Sequence, residues 1–260
     1  MSEGKLRIEH QGAIGRMIFD NTARRNAINA DMWAAIAAAM SRFDDDAAVR
    51  CIVLRGQGDV AFAAGADISE FETRRSSEEQ VRAYEAAVDA AHIAIESSPK
   101  PVIALIHGFC VGGGLATALS CDLRYAGESA RFAIPAARLG LGYGVHGNNR
   151  LVETVGHAAA REIMFTARLY DAQEALAMRL VNRVMPDDVL DEFVEEVARK
   201  IAANAPLTVA ASKIAFEALI SPMGDFSSAQ RAITACMQSE DYVEGRRAFM
   251  EKRKPRFKGR

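Results

Sequence analysis

The feature that most constrains this chain is the run PVIALIHGFCVGGGLATALSCD, from Pro101 to Asp122. An apolar stretch opened by a proline reads as a buried strand, and the three consecutive glycines Gly112, Gly113 and Gly114 precede a helix-like segment. Glycines at that point let the main chain approach a ligand with no Cβ in the way. A helix beginning there directs unpaired N–H groups, and the positive end of its dipole, into the same space. A second stretch, AFAAGADISEF from Ala61 to Phe71, ends a short apolar run in Ala64-Gly65-Ala66, another exposed turn with free N–H groups. Brought together, two such turns make a two-donor cradle for an oxyanion, the arrangement that stabilises an enolate or a tetrahedral oxygen. Either turn alone says little, because glycine-rich strand-to-helix turns are common and usually bind phosphate or nothing.

At 260 residues the chain is one large domain or one domain with an appendage, and half its residues are hydrophobic, enough for a sizeable core. No segment has the uninterrupted apolar length that spans a membrane. The start, MSEGKLRIEH, is charged and lacks the pattern of a secretory signal. A net charge of −2 gives no electrostatic footprint for nucleic acid. The stretch EKRKPRFKGR is locally basic and reads as a solvated end. Cys51, Cys110, Cys121 and Cys236 lack metal-ligand spacing; three sit in apolar surroundings and read as reduced core thiols, which fits a cytoplasmic protein.

Along the chain, Leu6–His10 and Ala13–Phe19 read as strands around a turn at Gln11-Gly12. Asn29 or Asp31 can cap the alanine-rich helix that follows, with Trp33, Ile36 and Met40 on one face. Arg50–Arg55 reads as a buried strand, and Ser76–Ser97 as a helix with Val81, Tyr84, Val88 and Ile93 near helical spacing. Strands at Val102–Ile106, Leu123–Ala126 and Arg131–Ile134 complete a recurring strand, strand, helix unit. Past Gly147 the pattern becomes a series of amphipathic helices, with Pro206 separating the last pair. Periodicity alone gives an α/β class.

The two turns together, with NTARRNAIN near the start and EGRRAFMEKRKPRF near the end, resemble the crotonase superfamily, also called the enoyl-CoA hydratase/isomerase family, over nearly the whole chain. That resemblance implies a ββα superhelical spiral core over residues 1–200. It implies a helical region over 201–260 for oligomer contacts and ligand closure, in a trimer or a dimer of trimers. The ligand it implies is an acyl-CoA thioester, with coenzyme A as part of the substrate and no cofactor bound permanently. Carried over by motif, the oxyanion-hole donors are the backbone N–H groups of Ala66 and Gly113. Ala64, Ala66, Asp67, Ile68, Ser69 and Gly112 line the coenzyme A side, and Phe249 and Lys252 match positions that meet its nucleotide end. Arg24 and Arg25 lie in the loop that faces the nucleotide; contact with its phosphates and a plain solvated loop remain equally good readings.

The chain departs from the family where protons move. A hydratase of this family uses two glutamates, one two residues after the glycine triplet and one just after the proline that follows the short strand. Those positions are Ala116 and Ala136. The segment LGLGYGVHGNN offers Tyr143, His146, Asn148 and Asn149 instead, where the family places its acyl pocket. Histidine is the residue type whose unperturbed side chain changes charge near neutrality, which makes His146 an acid/base candidate, although a histidine in a glycine-rich loop is more often a local hydrogen-bonding residue. LGLGYG together with SEDYVEGRRAFMEKRKPRF resembles the methylmalonyl-CoA decarboxylase branch, where a tyrosine stands at position 143. That branch has histidine in place of Ala66 and glutamate in place of Ala116. Three functions therefore stand: an enolate-stabilising acyl-CoA enzyme, a decarboxylase among such enzymes, and a non-catalytic acyl-CoA-binding oligomer. RNA binding is disfavoured by the charge and by the lack of a basic helix.

Overall fold

The computed structural model describes residues 4–67, 70, 76–220 and 224–260. Two sheets organise it. Strands β1 (Lys5–Gln11), β2 (Ile14–Asp20), β3 (Cys51–Gly56), β5 (Val102–Ile106), β7 (Leu123–Gly127) and β10 (Arg183–Met185) form one, in that order, and all pairs but β1–β2 are parallel. Strands β4 (Ala61–Ala63), β6 (Phe109–Val111), β8 (Arg131–Ala133) and β9 (Tyr170–Asp171) form the other. The pair β1 and β2 shares one sheet, whereas each of the next three pairs, β3/β4, β5/β6 and β7/β8, gives its first strand to that sheet and its second to the other. The helices α1 (Ala30–Asp45), α2 (Glu78–Ser97) and α3 (Gly113–Ser120) follow the first three strand pairs.

The apolar strands are buried on both faces, which is why they show no polar alternation. In β3, Ile52 and Leu54 enter the large core with Trp33, Ile36, Met40 and Phe62, while Cys51 and Val53 face a second core. Val102, Ala104 and Ile106 of β5 divide from Ile103 and Leu105 in the same way. Leu190, Val194 and Ala198 of α7 (Asp187–Ala202) close the second core. Fully burying one such aliphatic side chain contributes about 1.5–3 kcal/mol, so each strand is held from two sides.

His107, in the turn after β5, fastens α7 to this sheet. Its Nε2 lies 2.7 Å from Asp191 Oδ1 and its Nδ1 3.3 Å from Asp187 Oδ1. The carboxylates raise its pKa, with the Asp191 hydrogen bond foremost, against burial and the nearby Arg55.

Between β8 and α7 come α4 (Ala136–Leu139), α5 (Val145–Thr166) and α6 (Ala172–Ala177), and after α7 come α8 (Pro206–Ile220), α9 (Phe226–Gln238) and α10 (Glu240–Met250). Among the described residues no helix is long and apolar enough to cross a membrane.

Four expectations need correction. Ile93 is 53% exposed; the buried face of α2 carries Tyr84, Ala91, His92, Ile95 and Glu96. His146 lies in the first turn of α5 rather than in a loop, because Val145 already continues the helix that Gly144 caps. The segment from Arg150 to Phe165 is not one regular helix: Gly156, at φ 77°, breaks α5. The basic tail is not a loose solvated end. The N–H groups of Lys258 and Gly259 donate to the buried carboxylate of Asp241 at 2.6 and 2.8 Å, and Arg50 donates to the Phe257 carbonyl at 2.6 Å.

Candidate active site

Each of the three glycines after β6 answers a different neighbour. Gly112 adopts φ 53° and ψ −119°, a backbone region closed to side chains, and its N–H donates to the Ala133 carbonyl at 2.8 Å. A Cβ on Gly114 would lie 2.2 Å from the Ala63 carbonyl oxygen, so helix and β4 pack too closely for any side chain. A Cβ on Gly113 would sit 3.3 Å from the Trp33 ring and 3.5 Å from the Ala66 nitrogen.

That last distance joins the two turns. Gly65, at φ 106°, turns the chain after β4, and a Cβ on it would lie 3.7 Å from the Gly113 nitrogen. With ordinary backbone dimensions the Ala66 and Gly113 nitrogens are within about 6 Å of one another, the span across which one oxygen accepts from both. Ile28 bridges to this turn by donating to the Gly65 carbonyl and accepting from the Asp67 N–H, at 2.8 and 2.9 Å. That pairing turns the Ala66 N–H to the opposite side. Gly113 is the first residue of its helix, with no carbonyl one turn back to accept its N–H.

The loop before α1 braces the same turn. Ala64 N–H donates to the Arg25 carbonyl at 3.0 Å, and Arg24 pairs with buried Asp67 at 2.5 Å. The Arg25 guanidinium lies over the Phe109 ring, 4.6 Å from its centroid. Both arginines and Asp67 thus have partners within the chain. Ile68 and Ser69 lie outside the described residues.

Ala116 stands one turn into α3, on the face that Gly113 begins, and Ala136 opens α4 directly after Pro135. A Cβ on Gly112 would touch Pro135 at 3.9 Å, so Ala136 adjoins the glycine turn. The polar groups that meet α3 beside Ala116 come largely from α2, and the sequence reading missed them. Trp33 Nε1 donates to Tyr84 Oη at 2.9 Å. His92, edge-on to Trp33 at 5.5 Å, meets Thr117 Oγ1 at 3.3 Å, and that hydroxyl donates to the Gly113 carbonyl at 2.8 Å. With its hydrogen so used, Thr117 accepts from His92, which is therefore the Nε2–H tautomer. Burial pushes His92 down to about 4, so it is neutral. Glu96, one turn further, accepts from Ser120 at 2.7 Å, from Arg150 at 3.0 Å and from His146 at 3.1 Å. A signal for His92 and Glu96 was present: two polar residues four apart on an otherwise apolar helix face.

Tyr143 precedes α5 and its hydroxyl is buried with no hydrogen-bond partner among the described residues. Burial alone pushes its pKa up to about 12. Asn148 serves the main chain, donating to the Tyr143 carbonyl at 3.0 Å, and Asn149 donates to Glu153 at 2.5 Å. Asp122 accepts from the Val102 N–H and from Lys213 at 2.7 and 2.9 Å, a structural role. Phe249, 83% exposed, and Lys252, at φ 54°, stand at the end of α10 in the C-terminal helical group.

The profile of the enoyl-CoA hydratase/isomerase family matches residues 9–260. The chain belongs to the enoyl-CoA hydratase/isomerase family. Among its relatives, a short-chain-enoyl-CoA hydratase of Clostridium acetobutylicum is 35% identical over 95% of each chain. A crotonyl-CoA hydratase of Syntrophomonas wolfei is 34% identical over 99% of each. The solved structure of an enoyl-CoA hydratase/carnithine racemase from Magnetospirillum magneticum superposes with a TM-score of 0.94 at 37% identity, covering 98% of this chain and 96% of that one. The crotonase fold is thus shared over 98% of the chain.

Proposed function

We propose that this chain is an enzyme acting on an acyl-CoA thioester, and that its constant step is stabilisation of the thioester enolate by the main-chain N–H groups of Ala66 and Gly113. The observation that carries this reading is the approach of the two turns, with the Ala66 nitrogen 3.5 Å from where a Gly113 Cβ would stand. A thioester oxygen seated there accepts from both amides as it gains charge; losing one such donor costs about 2.7–4 kcal/mol of transition-state stabilisation. The names of the two hydratase relatives support a short acyl chain. Two-glutamate hydration does not fit Ala116 and Ala136, since alanine cannot move a proton. The reaction is then a lyase or isomerase step with its proton traffic arranged differently.

Coenzyme A would run from the cradle along Ala64, Asp67 and Gly112 toward Arg24 and Arg25. The region 201–260 would serve subunit contact, with Phe249 and Lys252 closing over the nucleotide end in a trimer or dimer of trimers. An apolar groove of about 960 Å³ among α8, α9 and α10, with Phe216, Met237 and Phe249 largely exposed beside it, supports such contact.

Calorimetry with butyryl-CoA, butyrate and coenzyme A, followed by mass spectrometry of a thioester panel, tests the reading. Thioester binding well above free acid, with turnover of at least one thioester, is expected. Equal affinity for butyrate and butyryl-CoA would sink it, and tight binding without any turnover would favour a non-catalytic acyl-CoA-binding oligomer.

One observation favours a second reading, decarboxylation. The Tyr143 hydroxyl, buried without a hydrogen-bond partner among the described residues, suits a carboxylate on the acyl group. Breaking the bond from Cα to that carboxylate releases carbon dioxide and leaves its electron pair as the enolate, with no base required.

A further inference from the structure

The face of α3 that carries Ala116 does not look onto an apolar wall. Ser120 lies one turn beyond Ala116 on that face, and its hydroxyl donates to the Glu96 carboxylate at 2.7 Å. Thr117, next to Ala116, holds His92. His146 reaches in from the first turn of α5, with Nε2 at 3.1 Å from Glu96. His146 therefore stands beside α3 at the level of Ala116 to Ser120, about 6 Å or less of helical rise from Ala116.

Glu96 is built to hold that ring. It is 9% exposed and fixed by Ser120 and by Arg150, which also pairs with Glu217 at 3.1 Å. The carboxylate occupies Nε2, leaving Nδ1 without a hydrogen-bond partner among the described residues, and the His146 side chain is 44% exposed. A base oriented by a buried carboxylate through one nitrogen, with the other nitrogen free, is the arrangement of an acid/base dyad. The second histidine does not compete: Thr117 occupies its Nε2, and burial keeps it neutral.

We propose that His146, held by Glu96, is the group that carries protons to and from the acyl Cα in this site, replacing from another element what position 116 lacks. The proposal rests on the enolate reading above. His146 is then a catalytic residue and Glu96 a positioning residue. In the step itself, the Nδ1 lone pair takes the Cα proton; the C–H bond breaks, the N–H bond forms, and the freed electron pair becomes the enolate held by Ala66 and Gly113. The reverse step returns a proton from the imidazolium to Cα. After decarboxylation only that return is needed.

Hydrogen exchange at Cα isolates this step from any particular overall reaction. Butyryl-CoA is incubated with the protein in D2O, and deuterium uptake is followed by mass spectrometry, with calorimetry of butyryl-CoA alongside. The wild-type protein is expected to exchange the α-hydrogens. His146→Gln should lower the rate about 10²-fold or more while affinity stays within about twofold, since a positioned acid or base contributes about 10²–10⁴-fold. Glu96→Gln keeps a hydrogen-bonding group at Nε2 but removes the negative charge that faces the imidazolium formed in the step, so the exchange rate should fall about 10-fold or more while butyryl-CoA affinity stays within about twofold. A purely structural Glu96 would leave the exchange rate of the folded variant unchanged. Unfolding midpoints of both variants are recorded, and the exposed His146 gives the variant least prone to misfold. Wild-type exchange by His146→Gln, or a wild-type protein that binds butyryl-CoA without exchanging it, overturns the proposal. Failure of the wild-type protein to bind the thioester at all would instead remove the enolate reading, and the proposal with it.

Discussion

Both ring nitrogens of His107 face carboxylates of one helix: Asp191 lies 2.7 Å from Nε2 and Asp187 3.3 Å from Nδ1. Two acceptors, one on each side, call for two N–H donors, so the ring that joins α7 to the β5 end is an imidazolium.

The first prediction is a stability optimum set by this contact. The folded pKa of His107 is raised above its unfolded value of about 6.5, so its contribution is complete below that value and drains away as pH climbs through the folded one. Asp191 is held down to about 2, first by its hydrogen bond to His107, so its contribution is present above its ordinary value of 3.8 and lost as pH falls toward 2. Near pH 6, His107→Gln should destabilise by about 1–2 kcal/mol, the lower part of the range for charged hydrogen bonds because both carboxylates are well exposed. Thermal midpoints of the two proteins from about pH 5 to 9 should converge on the alkaline side. Parallel curves would remove His107 from the pH response.

The second prediction separates neighbouring glycines. Gly114→Ala drives a methyl group to 2.2 Å from the Ala63 carbonyl and should destabilise by about 3 kcal/mol or more, seen as a lowered denaturant midpoint. Gly113→Pro places proline at the first helical position, where it is tolerated, and removes the amide donor. It should fold and lose about 10²–10³-fold in turnover. Unimpaired turnover would count against the cradle.

Much of this site was legible in the residues, and what was missed has a physical reason. The glycine triplet and the Ala64-Gly65-Ala66 turn announce themselves because a local backbone shape requires them. The doubly buried strands read correctly because their apolar runs are continuous. The Glu96 cluster did not, since its partners Ser120, His146 and Arg150 lie 24, 50 and 54 residues away, and no local period encodes which polar groups meet. His146 itself was read as a loop residue because glycines at 140, 142 and 144 hid the start of α5.

A third prediction concerns crotonyl-CoA. With Ala116 and Ala136 in place, hydration should run at least about 10²-fold below a two-glutamate hydratase assayed alongside, the contribution of one positioned proton-transfer group. Loss of enoyl absorbance at a matching rate would show that a second such group has been overlooked.

The fourth sets stability against function at Tyr143. Its buried hydroxyl has no hydrogen-bond partner among the described residues, so Tyr143→Phe should raise the thermal stability of the ligand-free protein by about 1 kcal/mol or more. If a substrate carboxylate is the missing partner, the same change should lower turnover of carboxylated acyl-CoA thioesters while affinity for coenzyme A stays unchanged. Lowered stability would mean that the hydroxyl is satisfied within the fold.

Asp241, 3% exposed, draws its two amide donors from Lys258 and Gly259, which leave the ribosome after it. Until they arrive, α10 carries a carboxylate that burial would strand without hydrogen bonds, so the helix has reason to stay open to water. Arg50 waits on the same event, because the Phe257 carbonyl it reaches is made 207 residues later. The burial of Asp241 on the final helix thus depends on amides 17 and 18 residues further along, and a chain cut before Lys258 would leave that carboxylate buried without them.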